Sequence, residues 1–133
     1  MFDDQFTVFG KSMDLHQQRL GTIANNVANA DTPGYKAKRL EFEDSLRQAF
    51  DGGNANKLAL EQSHQAHQGP GGSVADVSGE MATVSEGARV DGNTVNTQKE
   101  LERLGETRLT YRIVSELTGR RAKGLADAIT KPT

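Results

Sequence analysis

Apolar side chains alternate at spacings of three and four residues between Phe6 and Val27. This spacing places them along one stripe of an α-helix and is typical of a coiled-coil seam. It predicts a helix over about residues 3–29, on the order of 40 Å long at 1.5 Å per residue. Such a stripe is stable only when another helix or a neighbouring molecule covers it. Its positions are Phe6, Phe9, Met13, His16, Leu20, Ile23 and Val27.

A second heptad pattern fills the last third of the chain. Thr97 and Glu100 have the spacing of a capping box, in which each side chain accepts a backbone N–H of the first turn, so a long helix is predicted to start at Thr97. Several glycines weaken this helix, which favours stabilisation by several neighbours. Its seam is Leu101, Leu104, Tyr111, Thr118, Ala122, Leu125 and Ile129, widened by Leu109, Ile113, Val114 and Leu117.

The first helix is predicted to end in an asparagine-rich segment. Asn25, Asn26 and Asn29 can bond local backbone groups and tolerate left-handed conformations, so they suit a helix exit better than a helix interior. Pro33-Gly34 fits the two central positions of a type II turn. The chain is therefore expected to bend there.

The middle of the chain, residues 36–95, predicts little regular structure. Phe42, Leu46 and Phe50 mark one face of a short amphipathic helix. Residues 51–73 have the glycine-rich, polar composition of a flexible linker, and short strands or extended segments follow. Asp91-Gly92 predicts a turn rather than a hairpin, because only Val90 and Val95 beside it favour a strand.

The expected fold class is mainly α. Two long terminal helices pair as an antiparallel coiled coil, around a loop-rich middle with little regular structure beyond short β segments. The predicted domains are a terminal-helix domain formed by residues 1–35 plus 96–133, and a middle segment of residues 36–95 that contains the flexible stretch 51–73.

Composition excludes several classes of function. A net charge of -2 and the absence of dense basic runs argue against nucleic-acid binding, and the absence of cysteine excludes disulfides and thiolate metal sites. His64 and His67 form at most half of a metal site, so a solvated loop is the better interpretation. No nucleophile and base are placed together, and we expect no enzyme activity, no cofactor and no small-molecule substrate.

The run from Asn25 to Tyr35, followed by Lys36-Ala37, resembles the signature of the bacterial flagellar axial proteins, the rod and hook family. The sequence from Ala28 to Lys36 is most similar to that of the small rod proteins. Asp91-Gly92-Asn93-Thr94-Val95 resembles the corresponding segment of the proximal-rod members. The resemblance covers about residues 2–50 and 89–130. Its motif residues are Asn25, Asn26, Asn29, Asp31, Thr32, Pro33, Gly34 and Tyr35.

This resemblance implies a structural subunit of the flagellar basal-body rod, which polymerises through its terminal helices into part of the drive shaft and axial export channel. Implied partners are its own copies, other rod proteins, and the membrane (MS) ring and export-gate junction proteins at the rod base. The implied location is the periplasmic rod, reached by flagellar type III export without a cleaved signal peptide. The expected assembly seam is Phe6, Phe9, Met13, Leu20, Ile23, Val27, Leu101, Leu104, Tyr111, Leu125 and Ile129.

Three further interpretations stay open at this point. Phe42 and Leu46 match a loose export-gate recognition pattern of the same family, although packing on one face of a short helix is the favoured interpretation. The main alternative function is a cytosolic helical-hairpin adaptor or export chaperone, which would share the amphipathic pattern but has no use for the asparagine-rich turn. Within the rod family, a different small rod protein is the rival, and the segment from Asp91 to Val95 favours the proximal one.

Overall fold

The computed structural model describes residues 2–55 and 74–130 of the 133-residue chain. Helix α1 spans Phe2–Ala28 and helix α3 spans Thr97–Thr130; between them lie strand β1 (Lys38–Glu41), helix α2 (Glu43–Ala55), a 3-10 turn (Val74–Asp76) and strand β2 (Glu80–Thr83). The predicted fold class is confirmed, because two long terminal helices enclose a loop-rich middle with a two-stranded sheet.

The terminal helices pack side by side along most of α1. This is the most extensive packing between any two described elements, and Arg121 near the end of α3 donates a hydrogen bond to Gln5 near the start of α1. At the other end, Glu100 accepts a hydrogen bond from Asn26. The two helices are therefore antiparallel.

The hydrophobic core lies between α1 and the middle segment. Strands β1 and β2 pair antiparallel with Lys38 opposite Thr83 and Glu41 opposite Glu80. The alternation of a strand turns Leu40 of β1 inward while its neighbours are more exposed. The cluster consists of Leu15, Leu40, Phe42, Ala49 and Val77, with Leu46 and Val74 packed against it.

Helix α2 corrects one prediction about the middle segment. The flexible stretch was expected to begin at residue 51, yet the helix continues to Ala55 through two glycines. Glu43 and Asp44 in its first turn favour the helix, because carboxylates are stabilised near a helix N-terminus. Adding residues to a helix that has already formed costs far less than nucleating one. The predicted linker residues 56–73, with His64 and His67, lie outside the described residues.

Gly79 stands where the middle segment packs against the core. A Cβ atom at this position would lie 2.5 Å from Cδ1 of Leu40, a side chain that is only 3% exposed. Because both must then shift within a packed core, we expect Gly79→Ala to lower the free energy of unfolding by about 1–3 kcal/mol in urea titrations. Gly119→Ala is the control, since α3 is open there and the change should stabilise the helix by up to about 1 kcal/mol. An unchanged urea midpoint for Gly79→Ala would contradict this packing.

Candidate functional site

The described structure brings the two family-like segments together at one end of the helix pair. Residues 26–38 leave α1 and enter β1, and residues 89–100 lead into α3. We call their contact region the helix junction. Two asparagines are completely buried in it, Asn26 and Asn93.

The chain turns at Pro33-Gly34 as the sequence predicts. The Tyr35 N–H donates to the Thr32 carbonyl over 3.2 Å, and Gly34 has a φ of 71°. This is the geometry that a type II turn requires of its third residue. Gly92 also has a positive φ of 79°, and a Cβ atom there would lie 3.5 Å from the Gly34 Cα. The two turns therefore approach each other closely through residues that have no side chain.

Asn93 caps the exit of α1 from a distant part of the chain. Its Nδ2 group lies 2.9, 3.1 and 2.7 Å from the carbonyl oxygens of Asn29, Ala30 and Thr32. Its Oδ1 accepts the Val95 N–H over 2.7 Å. Carbonyls at a helix exit have no partner within the helix, and this buried amide adds to the local backbone donors, such as the Thr32 N–H that bonds the Asn29 carbonyl over 3.0 Å.

Asn26 joins α1 to both β1 and α3. Its Oδ1 accepts the Lys38 N–H over 2.9 Å, while its Nδ2 donates to the Lys38 carbonyl over 2.7 Å and to Glu100 Oε2 over 3.0 Å. The Glu100 residue is only 2% exposed, and its other oxygen accepts from Arg103 over 2.9 Å. Because a buried carboxylate is costly without donors, these contacts hold the start of α3 against α1.

Backbone groups complete the junction. The Thr94 N–H donates to the Tyr35 carbonyl over 3.0 Å, and Thr94 Oγ1 accepts the Ala37 N–H over 2.8 Å. The Gly34 N–H donates to the Asp91 carbonyl over 2.9 Å. Residues 34–37 and 91–94 thus pair as two loops without forming regular strands. The arrangement sets the relative position of two long helices.

The predicted capping box at the start of α3 is wrong. Asn96 is the capping residue instead, because its Oδ1 accepts the Lys99 N–H over 3.1 Å and its carbonyl accepts the Glu100 N–H over 3.0 Å. The Glu100 carboxylate is occupied with Asn26 in the junction. The sequence also predicted no structural role for Asn93, whose segment served only as part of the family resemblance. Asn93 lies 64 residues after Asn29, and no local sequence pattern indicates that the two meet. Their pairing is therefore visible only in the folded chain.

The three asparagines at the exit of α1 have different environments. Asn29 bonds local backbone as expected, since its Nδ2 donates to the Asn25 carbonyl over 2.8 Å. Asn26 is buried, whereas Asn25 is exposed. Asp31 and Thr32 are also exposed. The motif therefore has a buried part that builds the junction and an exposed part that faces outward.

None of the proposed seam residues of α1 is exposed. Ile23 is buried, and the other five are half-buried. On α3, Leu104 and Tyr111 are half-buried, whereas Leu101, Leu125 and Ile129 are 55%, 39% and 75% exposed. Within a single chain, therefore, only part of the proposed seam is buried. The five half-buried residues of α1 are Phe6, Phe9, Met13, Leu20 and Val27.

Phe42 belongs to the core cluster and also contacts polar side chains of α1. Its ring meets the His16 ring edge-on at 5.0 Å, and the Arg19 guanidinium lies 4.2 Å from its centroid on one face. The same arginine donates twice to the Leu40 carbonyl and once to each carboxylate oxygen of Glu43. Phe42 is buried, and Leu46 packs against the core, so both candidate export residues are structural in the folded chain.

The hydrogen bonds from Arg19 lower the pKa of Glu43 from 4.5 to about 2. A carboxyl with a depressed pKa contributes stability above its unfolded pKa of about 4.3, and that contribution is lost as the pH falls towards 2. The Glu43 side chain is 60% exposed, so solvent screening keeps the effect below about 1 kcal/mol. We expect Glu43→Gln to be less stable than the native chain at pH 6, with the difference disappearing near pH 2 in thermal unfolding. Glu41→Gln is the control; a pH-independent difference for Glu43→Gln would contradict the ion pair.

No group of three or more histidine, aspartate or glutamate side chains in residues 2–55 and 74–130 is placed to hold a metal ion. None of the helices in those ranges is both long enough and apolar enough to cross a membrane.

Comparison with known proteins points to one family. The model of the flagella basal body rod protein family matches residues 12–36, which contain the end of α1 and the Pro33-Gly34 turn. The chain is 34% identical over 128 residues to the flagellar basal body rod protein FlgB of Cereibacter sphaeroides, covering 96% of this chain and 95% of that protein. It is 28% identical to the proteins of the same name from Salmonella typhimurium and Escherichia coli, over 90% of this chain and 88% of each relative.

Proposed function

Because the chain belongs to the flagellar basal body rod protein family and is a structural subunit of the rod, we propose that its paired terminal helices are the part that polymerises. The alternative of a cytosolic adaptor or export chaperone is not supported by these relatives. The finer assignment is that this subunit belongs to the proximal rod and forms part of the drive shaft and axial channel.

The exposure of α3 carries this proposal. Among the described residues, six large apolar side chains of this helix are 39–75% exposed, whereas only Glu100 and Thr107 of the helix are buried. A helix of 34 residues that leaves so much apolar surface in water gains stability when neighbouring helices cover it. The exposed residues are Leu101, Leu109, Ile113, Leu117, Leu125 and Ile129.

The end of α3 is the part with the least cover. Arg121 reaches Gln5, so in an antiparallel pair the residues after about 124 have no residue of α1 opposite them. Leu125 and Ile129 lie there, on the same side of α3 as Tyr111 and Thr118, which face α1. These residues extend the seam of α3 past the first residue of α1, where a neighbouring subunit can cover them.

Ile129→Asp tests this role without disturbing the fold of the chain. Ile129 is 75% exposed, so the change should alter the free energy of unfolding by less than about 0.5 kcal/mol. We expect it to abolish incorporation into basal bodies, because assembly would bury an unpaired charge. The measurement is an immunoblot of purified basal bodies, together with motility. Ala128→Asp adds the same charge to an exposed position about 100° away around α3 and is the matched control. Normal incorporation of Ile129→Asp would contradict the seam.

The remaining assignments follow from the rod role. We propose that the subunit contacts its own copies, other rod proteins, and the membrane (MS) ring and export-gate junction at the base of the rod, and that it lies in the periplasmic part of the basal body. We assign it no catalytic activity. If Phe42 and Leu46 also act in export, the unfolded chain must present them, because Phe42 is only 2% exposed in the folded one.

A further inference from the structure

The chain contains two Asp-Gly dipeptides, Asp51-Gly52 and Asp91-Gly92. An aspartate that precedes glycine is prone to isomerise, because glycine has no side chain to hinder its own nitrogen and leaves the peptide free to rotate. The two dipeptides have different surroundings in the fold. Asp51-Gly52 lies near the end of α2, whereas Asp91-Gly92 belongs to a turn of the helix junction.

Isomerisation is a reaction of such a dipeptide with itself and with water. The glycine nitrogen attacks Cγ of the aspartic acid; the N–Cγ bond forms, the bond from Cγ to the hydroxyl oxygen breaks, and the amide proton leaves with that hydroxyl as water. Water then opens the five-membered succinimide at either of its two carbonyls. One opening restores aspartate, and the other gives isoaspartate, whose main chain passes through Cγ and is one carbon longer. The mass of the chain is unchanged.

The helix junction holds the peptide unit between Asp91 and Gly92 at both of its polar groups. The carbonyl of this unit accepts the Gly34 N–H over 2.9 Å, and its N–H donates to the Arg89 carbonyl over 2.8 Å. The following carbonyl, of Gly92, accepts Lys36 Nζ over 2.8 Å. The nitrogen that would attack is therefore fixed by contacts on both sides of its peptide.

The turn also points this nitrogen away from the side chain that it would attack. Val90 and Asp91 are the central residues of the turn and have no positive φ, which together with the Gly92 hydrogen bond is the pattern of a type I turn. In that turn ψ of the third residue is about 0°. Closing a ring onto Cγ of Asp91 requires the peptide to rotate far from this value, and the rotation breaks both backbone hydrogen bonds.

The Asp91 side chain is held but not buried. Its Oδ1 accepts the Asn93 N–H over 3.1 Å and lies 3.8 Å from Arg89 Nε. The side chain is 39% exposed, so water reaches the carboxyl group in the folded chain. Protection from isomerisation therefore depends on the fixed peptide and not on exclusion of solvent.

We propose that Asp91-Gly92 is a site of spontaneous aspartate isomerisation that the folded helix junction suppresses, and that isomerisation there prevents the junction from forming. An extra main-chain carbon before Gly92 displaces Asn93, whose amide must reach three carbonyls at the exit of α1. It also turns the carbonyl that Gly34 bonds into part of a free carboxylate. The chain is therefore vulnerable at this dipeptide before it folds and protected afterwards.

Incubating the purified chain at neutral pH, in buffer and in concentrated guanidinium chloride, tests the protection. Trypsin releases residues 90–99 and residues 48–57, so the two dipeptides are measured on separate peptides. Chromatography resolves the isoaspartate forms at unchanged mass, whereas deamidation of Asn93 raises the mass. We expect similar rates for both dipeptides in denaturant. Folding should slow isomerisation at Asp91 by ~10-fold or more, because two hydrogen bonds must break.

Asp51-Gly52 is the internal reference for this measurement. Folding should slow its isomerisation less, because the ends of helices open more easily than structure held by tertiary contacts. Equal slowing of the two dipeptides would overturn a specific role of the junction. An unchanged rate at Asp91 would overturn the protection altogether.

Gly34→Ala tests the contact that holds the Asp91 carbonyl. Gly34 has a φ of 71°, where alanine is strained, so the turn that carries its N–H should loosen. We expect isomerisation at Asp91 to become several-fold faster in buffer, with the rate at Asp51 unchanged. Gly119→Ala makes the same chemical change on open helix and should alter neither rate. An unchanged Asp91 rate in Gly34→Ala would overturn the role of this contact.

The second half of the proposal concerns the damaged chain. A sample isomerised in denaturant contains isoaspartate at both dipeptides, and after refolding a brief proteolysis in moderate urea removes the less stable chains. We expect the surviving chains to be depleted of isoaspartate at position 91 but not at position 51. Equal retention at both positions would overturn the claim that isomerisation disables the junction.

Discussion

Asn93→Ala should lower the free energy of unfolding by about 3 kcal/mol or more, because it removes one buried amide that serves four backbone groups. The carbonyls of Asn29, Ala30 and Thr32 each lose one of their donors, and the Val95 N–H loses the Asn93 Oδ1 acceptor. Urea unfolding measures the loss. Hydrogen exchange should show where it occurs, with faster exchange at Val95 and Thr94 than in the middle of α3.

Asn25→Ala is the matched control for this variant. It removes an asparagine of the same motif whose exposed side chain makes no hydrogen bond to the described residues. The free energy of unfolding should change by less than about 0.5 kcal/mol. Equal losses for the two variants would mean that the junction does not depend on Asn93.

Asn26→Asp should be as damaging, although it changes almost nothing in size. The introduced carboxylate would keep an acceptor for the Lys38 N–H, but it would turn an oxygen towards the Lys38 carbonyl and towards the buried Glu100. Two carboxylates in a buried site repel each other, so we expect a loss of about 3 kcal/mol or more near pH 7.

The pH dependence of that variant separates electrostatics from packing. Repulsion raises the pKa of the introduced carboxyl in the folded state, so its penalty should be smallest below the unfolded pKa of about 3.9 and should grow as the pH rises towards 7. Comparing urea midpoints of the variant and the native chain at pH 4 and pH 7 measures this change. A second variant, Asn26→Asp with Glu100→Gln, should recover part of the loss at pH 7. A penalty that is equal at both pH values would contradict the close pairing of Asn26 and Glu100.

These variants test one physical idea about the family-like segments. The segments around Asn26 and Asn93 are far apart in the sequence, and they form a single hydrogen-bonded unit in the fold. That unit determines where α1 ends, where α3 begins and how the two helices meet. A rod subunit needs this relation to be constant, because an error at the junction would shift every contact along helices of 27 and 34 residues.

Sequence reasoning succeeded where the governing interactions are local. Helical periodicity repeats every few residues, so both ends of α1 and the start of α3 were predicted to within about one residue. Proline and glycine act on their own backbone, so the turn at Pro33-Gly34 was also predictable. The same local motifs carried the family resemblance, and the predicted family and rod function are confirmed.

The chain by itself therefore determined its two long helices, the turn between them and its family. Only the tertiary structure decided how the buried polar groups are paired: Asn93 with carbonyls 61–64 residues earlier, and Glu100 with Asn26 instead of with its own helix end. It also decided which apolar side chains of α3 stay exposed. The physical reason is that a buried donor can bond to any acceptor that folding brings within about 3 Å, and no local sequence pattern identifies that acceptor.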